Sequence, residues 1–289
     1  MSERKNKMRK TVLIMRIIIL SLMAISESRA DCKDSSNIGG TCYTWEDSGS
    51  CGSGCTYTYN NKTLIVKASG NNATIDEGRF ADTYYNGNTF PVEVDNVIID
   101  GNFASIKMHA FNSVSAVISG KDGKLVLPTN GWHTFNKSTL SGEIVVSSDT
   151  DRIGAGAFMN AKIDGVLIIP ENVKNIGLGS FADFGLTTGS KIYCAVEDCA
   201  QKIIDSCNRP GFTETQYNRC VANATSVLSN PDKFEQAPEG CSYWSADGCK
   251  KCSNANFKFD GDYCYRIRYT PAEAAEVAGE KNTIFLYYK

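Results

Sequence analysis

The sequence has little histidine and none of the short motifs that mark common catalytic centres. Only two histidines, His109 and His133, occur among 289 residues, and neither accompanies a nucleophile motif. The Gly-x-Ser-x-Gly pattern of serine hydrolases and the His-Glu-x-x-His pattern of zinc peptidases are both absent. The residues therefore indicate no catalytic constellation, cofactor site or metal site, and they predict a protein that is not an enzyme.

Long apolar runs are missing after the first thirty residues, so we expect no membrane insertion of the mature chain. Residues 1–30 have the pattern of a secretory signal peptide. A basic stretch precedes the apolar segment Ile17–Ile25, and Ser28-Arg29-Ala30 forms a small-x-small cleavage site. We expect cleavage between Ala30 and Asp31, with a signal anchor as the alternative. The predicted location is secreted, at the cell surface or in a periplasm.

An excess of positive charge is also missing from the predicted mature chain. Residues 1–30 hold 7 of the 30 basic and 2 of the 32 acidic residues, which leaves 23 against 30 and a net charge of −7. An acidic chain without a basic stripe is unsuited to nucleic acid and to anionic membrane surfaces. Nucleic acid is therefore excluded as the expected partner.

Cysteine is absent from residues 56–193 but abundant on both sides of them. The twelve cysteines form three blocks of four: Cys32, Cys42, Cys51 and Cys55; Cys194, Cys199, Cys207 and Cys220; Cys241, Cys249, Cys252 and Cys264. In an exported protein such even blocks predict disulfides, and we expect pairing within each block, with three pairings open in each. Zinc at Cys249-Lys-Lys-Cys252 is the alternative, but no histidine lies near it.

Phenylalanine recurs at a nearly constant interval through the cysteine-free region. The four residues at intervals of 24, 23 and 23 are Phe111, Phe135, Phe158 and Phe181, and Phe80 precedes them by 31 residues. Each closes a similar phrase, of which Ile176-Gly-Leu-Gly-Ser-Phe181 is a clear copy. A period in the low twenties is typical of a solenoid, in which each unit buries its apolar face against its neighbours.

Short β-branched runs accompany the phenylalanines and predict buried strands. Ile98, Val145 and Ile168 each lie thirteen residues before a phenylalanine, which suggests that they are equivalent positions. In the clearest unit Pro170 follows the run Val166–Ile169 and ends the strand, because proline cannot donate to a sheet.

The clearest unit resembles the BspA-type leucine-rich repeat, a family of secreted and surface proteins. The resemblance rests on the phrase Leu-Ile-Ile-Pro-x-x-Val-x-x-Ile-Gly-x-x-Ser-Phe at 167–181 and covers about residues 62–194. It implies a solenoid fold and an extracytoplasmic location, and it implies no catalytic residue.

The predicted fold is a mainly β, leucine-rich repeat-like solenoid with disulfide-rich ends. A signal peptide at 1–30 precedes a Cys-rich N-terminal cap at 31–61 and the repeats at 62–194. A capping helix and linker at 195–240 lead to a Cys-rich α+β module at 241–289, which ends in a helix and a strand. Within 195–207, Val196, Cys199, Ile203 and Cys207 share one helical face.

Aromatic residues outside the repeat positions are the candidates for partner binding. Tyr84, Tyr85 and Phe90 lie in an insertion of the first unit, and Trp132 replaces a small residue of the repeat phrase. Such residues often anchor a binding partner, although Trp132 could equally be buried. The predicted function is recognition or adhesion through a protein or glycan partner. The alternatives are a structural component of the cell envelope and an exported hydrolase with a repeat targeting module.

Overall fold

The computed structural model describes residues 48–81, 94–254, 257–259, 261 and 264–266. Several predictions concern residues outside this part of the chain and stay predictions. They are the signal peptide, the pairing of Cys32 and Cys42, the insertion-loop aromatics Tyr84, Tyr85 and Phe90, and the terminal helix and strand.

One ten-stranded sheet winds into a β-solenoid of about four turns, which confirms the predicted solenoid architecture. With strands numbered in chain order, it contains β1 (Ser48–Gly52), β2 (Cys55–Asn60), β3 (Thr63–Ala68), β5 (Asn96–Asp100), β7 (Val117–Leu127), β9 (Thr139–Val146), β11 (Lys162–Ile169), β13 (Gly185–Leu186), β14 (Lys191–Cys194) and β15 (Phe234–Gln236). The first three strands pair antiparallel. From β3 onward all pairings in this sheet are parallel, because the chain returns to the same edge after each turn.

Short strands line a second side of the solenoid. They are β4 (Thr74–Ile75), β6 (Ser105–Ile106), β8 (Thr129–Asn130), β10 (Arg152–Ile153) and β12 (Asn175–Ile176). The first three pair with one another in parallel, and so do the last two. Each full turn therefore contributes one strand to the long sheet and one two-residue strand to this side.

The predicted phenylalanine ladder is confirmed. Successive ring centroids from Phe80 to Phe181 lie 5.4, 5.7, 6.1 and 5.3 Å apart, and all five side chains are buried. The ladder runs along the solenoid axis between the two sides. Because each ring contacts a ring in the next turn, the 23-residue period fixes how the turns stack.

The predicted equivalence of Ile98 with Val145 and Ile168 is wrong in part. Val145 and Ile168 are neighbours in adjacent strands, but Ile98 lies beside Ser119 instead. The cause is a bulge in β7, whose register against β9 shifts between Ser119 and Lys124. Since β5 pairs only with the first part of β7, it does not reach the segment in which Val145 lies.

The C-terminal end of the solenoid is closed by two helices, α1 (Cys199–Asp205) and α2 (Glu214–Leu228). The four residues of the predicted helical face are all buried, but only two of them lie within α1: Val196, Cys199, Ile203 and Cys207 are the four, and Cys199 and Ile203 are the two. The range 195–240, predicted as one capping helix and a linker, also contains α2 and β15. Helix α2 begins with a capping box between Thr213 and Gln216.

The described part of the Cys-rich module contains two antiparallel hairpins. One is formed by β16 (Cys241–Ser245) and β17 (Gly248–Cys252), the other by β18 (Phe257–Phe259) and β19 (Cys264–Arg266). Trp244 and three of the cysteines pack with Val145, Ile168 and Tyr193 in a second apolar cluster. These sheet residues alternate with residues of the main core, such as Ile144 and Val146. The module therefore covers the face of the long sheet that points away from the phenylalanine ladder.

Ten cysteines of the described residues form five disulfides at the two ends, and each disulfide lies within a predicted block. The pairs are Cys51–Cys55, Cys194–Cys199, Cys207–Cys220, Cys241–Cys249 and Cys252–Cys264. No cysteine in the described part of the chain is left as a free thiol. Cys249 and Cys252, for which zinc was the alternative, are instead bonded to Cys241 and Cys264.

Candidate functional site

Backbone hydrogen bonds between adjacent turns show which residues occupy equivalent positions beside the short strands. The N–H groups of His109, His133 and Gly156 donate to the carbonyls of Trp132, Ala155 and Leu178 at 2.9, 2.9 and 3.0 Å. Together with Met108, the three acceptor residues form one column that crosses four turns. We call this column the apolar rail: Met108, Trp132, Ala155 and Leu178.

The apolar rail is open to solvent, and Trp132 is its most prominent member. Trp132 is 62 % exposed and Leu178 is 44 % exposed, whereas Met108 and Ala155 are half-buried. The sequence left burial and exposure of Trp132 equally open, and the structure places it at the surface. This degree of exposure is unusual for tryptophan, whose large apolar side chain is mostly buried in folded proteins.

A polar column runs parallel to the apolar rail. It is formed by the first residue of each short strand from β6 to β12, and we call it the polar rail: Ser105, Thr129, Arg152 and Asn175. Because side chains alternate along a strand, the second residue of each pair faces inward, as buried Ile106 and Ile153 show. The guanidinium of Arg152 lies 4.0 Å from Asp151, and 64 % of its side chain is exposed.

Glycines separate the two rails. A Cβ on Gly131, Gly154 or Gly177 would lie 2.4, 2.2 or 2.4 Å from backbone atoms of the preceding turn. No side chain fits at these positions, so the space between the rails has a floor of bare backbone. At the equivalent position one turn earlier, Lys107 forms an ion pair of 2.7 Å with Asp76 and ends the floor.

The polar rail, the glycine floor and all of the apolar rail except Leu178 line an open groove of about 630 Å³. The floor N–H groups are already satisfied. Those of Gly131 and Gly177 donate to backbone carbonyls at 3.0 and 2.9 Å, and that of Gly154 donates to Asn130 Oδ1 at 2.7 Å. The floor carbonyls accept hydrogen bonds from Thr134, Ala157 and Ser180. A ligand in the groove therefore meets side chains at its edges and a saturated backbone beneath.

Two histidines lie behind the apolar rail, at a position where the backbone is left-handed. The φ angles of His109, His133, Gly156 and Gly179 are 60°, 54°, 64° and 69°. The two imidazoles stack with centroids 5.4 Å apart. Burial, then the charge of Arg209 and then His109, lowers the pKa of His133 to about 4. His133 is therefore buried and neutral near pH 7.

A second groove, of about 880 Å³, separates the Cys-rich module from the long sheet. Its lining includes Tyr243 and the lysines Lys124, Lys250 and Lys251. Two of these cations are offset by acids, since Lys124 lies 2.8 Å from Glu143 and Lys250 lies 3.9 Å from Asp247. The positive charge of this groove is therefore largely compensated.

The sequence identified Trp132 as a candidate but missed the residues that make a groove of its surroundings. Arg152, Asn175 and the glycine floor could have been found, because each recurs at a fixed position of the repeat phrase. The predicted loop aromatics lie outside the described residues.

No protein-family model, curated protein or solved structure matches this chain. In the described part, neither helix is long and apolar enough to cross a membrane. Those same residues contain no group of three or more histidine, cysteine or acidic side chains placed to hold a metal ion. The groove between the two rails is the candidate binding surface.

Proposed function

We propose that this chain is an exported, non-enzymatic recognition or adhesion protein of the BspA-type leucine-rich repeat kind, with a protein or glycan partner. The repeat phrase, its 23-residue period and the stacked phenylalanines support the family proposal. Five disulfides support export, because such bonds persist in oxidising compartments and are rare in the cytosol.

The observation that carries the binding proposal is the groove beside Trp132. The apolar rail exposes a large indole next to a polar rail, and tryptophan is enriched among the residues that contribute most to binding. The volume of about 630 Å³ lies within the range of about 300–1,000 Å³ that is typical of ligand sites. Burying an aromatic side chain of this kind would remove a large apolar area from water and favour association.

The surroundings of the two histidines support binding rather than catalysis. Both side chains are buried behind the apolar rail, and His133 Nε2 is already bonded to Arg209 at 2.9 Å. A general base must lie within hydrogen-bond reach of the substrate proton, and this nitrogen faces Arg209 instead.

The test compares two variants that each remove one exposed aromatic side chain. The mature protein, Trp132→Ala and Tyr217→Ala are immobilised, and binding of host and envelope extracts is followed to saturation. Tyr217 is a matched control, since it is 41 % exposed on α2, outside the groove. We expect saturable binding that Trp132→Ala weakens by about tenfold or more and that Tyr217→Ala leaves unchanged.

Three results would contradict the proposal. Equal binding by all three proteins would mean that the groove is not the recognition surface. Association only with further copies of the same chain would favour a structural envelope component. Turnover of a peptide, ester or glycoside that a point substitution abolishes would show that the protein is an enzyme.

A further inference from the structure

We infer that the groove binds a linear glycan, whose successive sugar rings lie across consecutive solenoid turns with one ring stacked on Trp132. This inference rests on the proposed recognition function and narrows its ligand to one chemical class. Four features carry it: the direction of the groove, its saturated floor, the flat face of Trp132 and the balance of charge.

The groove runs across the strands, and this direction selects ligands whose units repeat at the strand spacing. The rails cross the strands, so equivalent side chains recur at the strand spacing of about 4.8 Å, and four turns span about 14 Å. An extended peptide advances by only about 3.3 Å per residue and would run out of register with the rails. A pyranose ring in an extended chain advances by nearly one strand spacing, so each ring can meet the same pair of positions.

The saturated floor excludes the usual way of binding an extended peptide. Strand addition requires free backbone N–H and C=O groups at a sheet edge. The N–H and C=O groups of Gly131, Gly154 and Gly177 are all engaged within the protein. The side chains of the polar rail therefore offer a ligand more hydrogen-bonding groups than the floor does. Sugar hydroxyls both donate and accept, which suits a rail of two hydroxyls, one amide and one guanidinium.

The flat face of Trp132 suits a ring rather than a side chain. The glycine floor presents bare backbone, so the indole face is the large apolar surface that a ligand meets in the groove. A sugar ring has an apolar C–H face that packs on an indole, while the hydroxyls at its edge remain free to bond. With the indole on one rail and Arg152 or Thr129 on the other, both kinds of contact are available to one ring.

The charge of the groove favours a neutral or weakly acidic chain. Lys107 is compensated by Asp76, and Glu77 lies at the same end of the groove. Arg152 is separated from Asp151 by 4.0 Å and retains most of its exposure. Its guanidinium could bind a sugar carboxylate through two parallel hydrogen bonds. Neutral glycans and uronic-acid glycans both offer sugar rings that can stack on Trp132, and the experiment distinguishes between the two classes.

The experiment presents the mature protein to linear oligosaccharides of two to eight rings, one series neutral and the other containing uronic acids. Titration calorimetry then gives the affinity of each compound that binds. We expect the affinity to rise with length up to about four rings, the number of turns that the rails cross, and then to level off. Trp132→Ala should weaken binding by about tenfold or more, and Tyr217→Ala should not change it.

The variant Arg152→Gln distinguishes a preference for uronic-acid chains from a preference for neutral chains. If uronic-acid chains bind better than neutral ones, this variant should remove their advantage and leave neutral binding within about twofold. If neutral chains bind better, it should weaken both series to a similar extent. Circular dichroism of each variant confirms that the solenoid is intact.

The glycan inference and the recognition proposal fail separately. If no oligosaccharide binds, but an extract protein binds saturably in a Trp132-dependent manner, the glycan inference is wrong and the recognition function stands. If oligosaccharides bind equally well to Trp132→Ala, the groove is not their site and the inference is also wrong. If neither kind of ligand depends on Trp132, both proposals are wrong.

Discussion

Nη2 of Arg209 lies 2.9 Å from Nε2 of His133, although 76 residues separate them in the sequence. The aliphatic part of Arg209 crosses Gly179, where an added Cβ would lie 2.8 Å from its Cδ. Its Nη1 also contacts the sulfur of Met159 at 3.3 Å. The arginine thereby joins the segment between the two helices to the column of left-handed residues behind the apolar rail. Because guanidinium can only donate, Nε2 of His133 must accept and the imidazole is neutral.

This contact predicts a loss of stability in acid. The pKa of His133 is lowered from an ordinary value of 6.5 to about 4 in the fold, so the unfolded chain binds more protons between these two values. The contribution of neutral His133 to the free energy of unfolding is therefore fully present above pH 6.5 and is lost as the pH falls toward 4. We expect the loss to be on the order of 2 kcal/mol. Burial lowers the pKa of His109 in the same direction and adds to the effect.

Denaturant unfolding at pH 7 and pH 4.5 checks this expectation against His133→Asn. Asparagine tolerates the left-handed backbone of position 133 and does not titrate. The wild-type protein should be more stable than the variant at pH 7, and the difference should shrink at pH 4.5. A difference that stays constant between the two pH values would show that His133 is not held neutral in the fold.

The phenylalanine ladder could be predicted from the sequence because its signal is a simple interval. Phe111, Phe135 and Phe158 recur in a region without cysteine, and burial of one aromatic per turn needs no knowledge of distant contacts. The bulge in β7 was harder to predict. The extra residues of the bulge lie inside a strand, and the segment between that strand and Phe135 is correspondingly shorter. The interval from Phe111 to Phe135 is therefore only one residue longer than the next interval.

The remaining features depend on contacts that no local pattern encodes. Helix α2 has few apolar residues, and its stability comes from the Cys207–Cys220 bond and from burial of Ala224 and Val227. The capping box of α2 can be recognised in the sequence, but the polar composition of the segment favours a loop. The exposure of Trp132 and the contact of Arg209 with His133 arise only when the turns are stacked.

Removal of one ring from the ladder should destabilise the whole solenoid. Phe158→Ala leaves a cavity between Phe135 and Phe181, and we expect it to reduce the free energy of unfolding by about 3–5 kcal/mol. Phe259→Ala is the matched control, since Phe259 is 44 % exposed and should cost no more than about 0.5 kcal/mol. Chemical denaturation that gives equal small losses for both variants would contradict the ladder.

The glycine floor should not accept a methyl group. In Gly154→Ala the new Cβ would lie 2.2 Å from the carbonyl oxygen of Gly131, so adjacent turns must separate. We expect a cost of about 1–3 kcal/mol in unfolding free energy, together with weaker ligand binding. Gly185→Ala serves as the control, because its Cβ would meet nothing within 4 Å. Similar stabilities for the two variants would mean that the turns are not packed this closely.

Pairing within blocks makes a definite prediction for the two remaining cysteines. Cys51 and Cys55 are bonded to each other, so Cys32 and Cys42 are expected to form the sixth disulfide. Non-reducing peptide mapping of the exported protein checks this pairing. A bridge from either cysteine to the blocks beyond residue 193 would contradict the rule.

The central claim is that the groove across successive turns is the recognition surface. Hydrogen exchange of the mature protein, free and saturated with the tightest ligand found in the binding assays, tests it most directly. We predict protection in four short segments, residues 105–108, 129–132, 152–155 and 175–178, which recur at the interval of the phenylalanine ladder. Protection confined to α1 and α2, or to the Cys-rich module at 241–266, with those four segments unchanged, would contradict the claim.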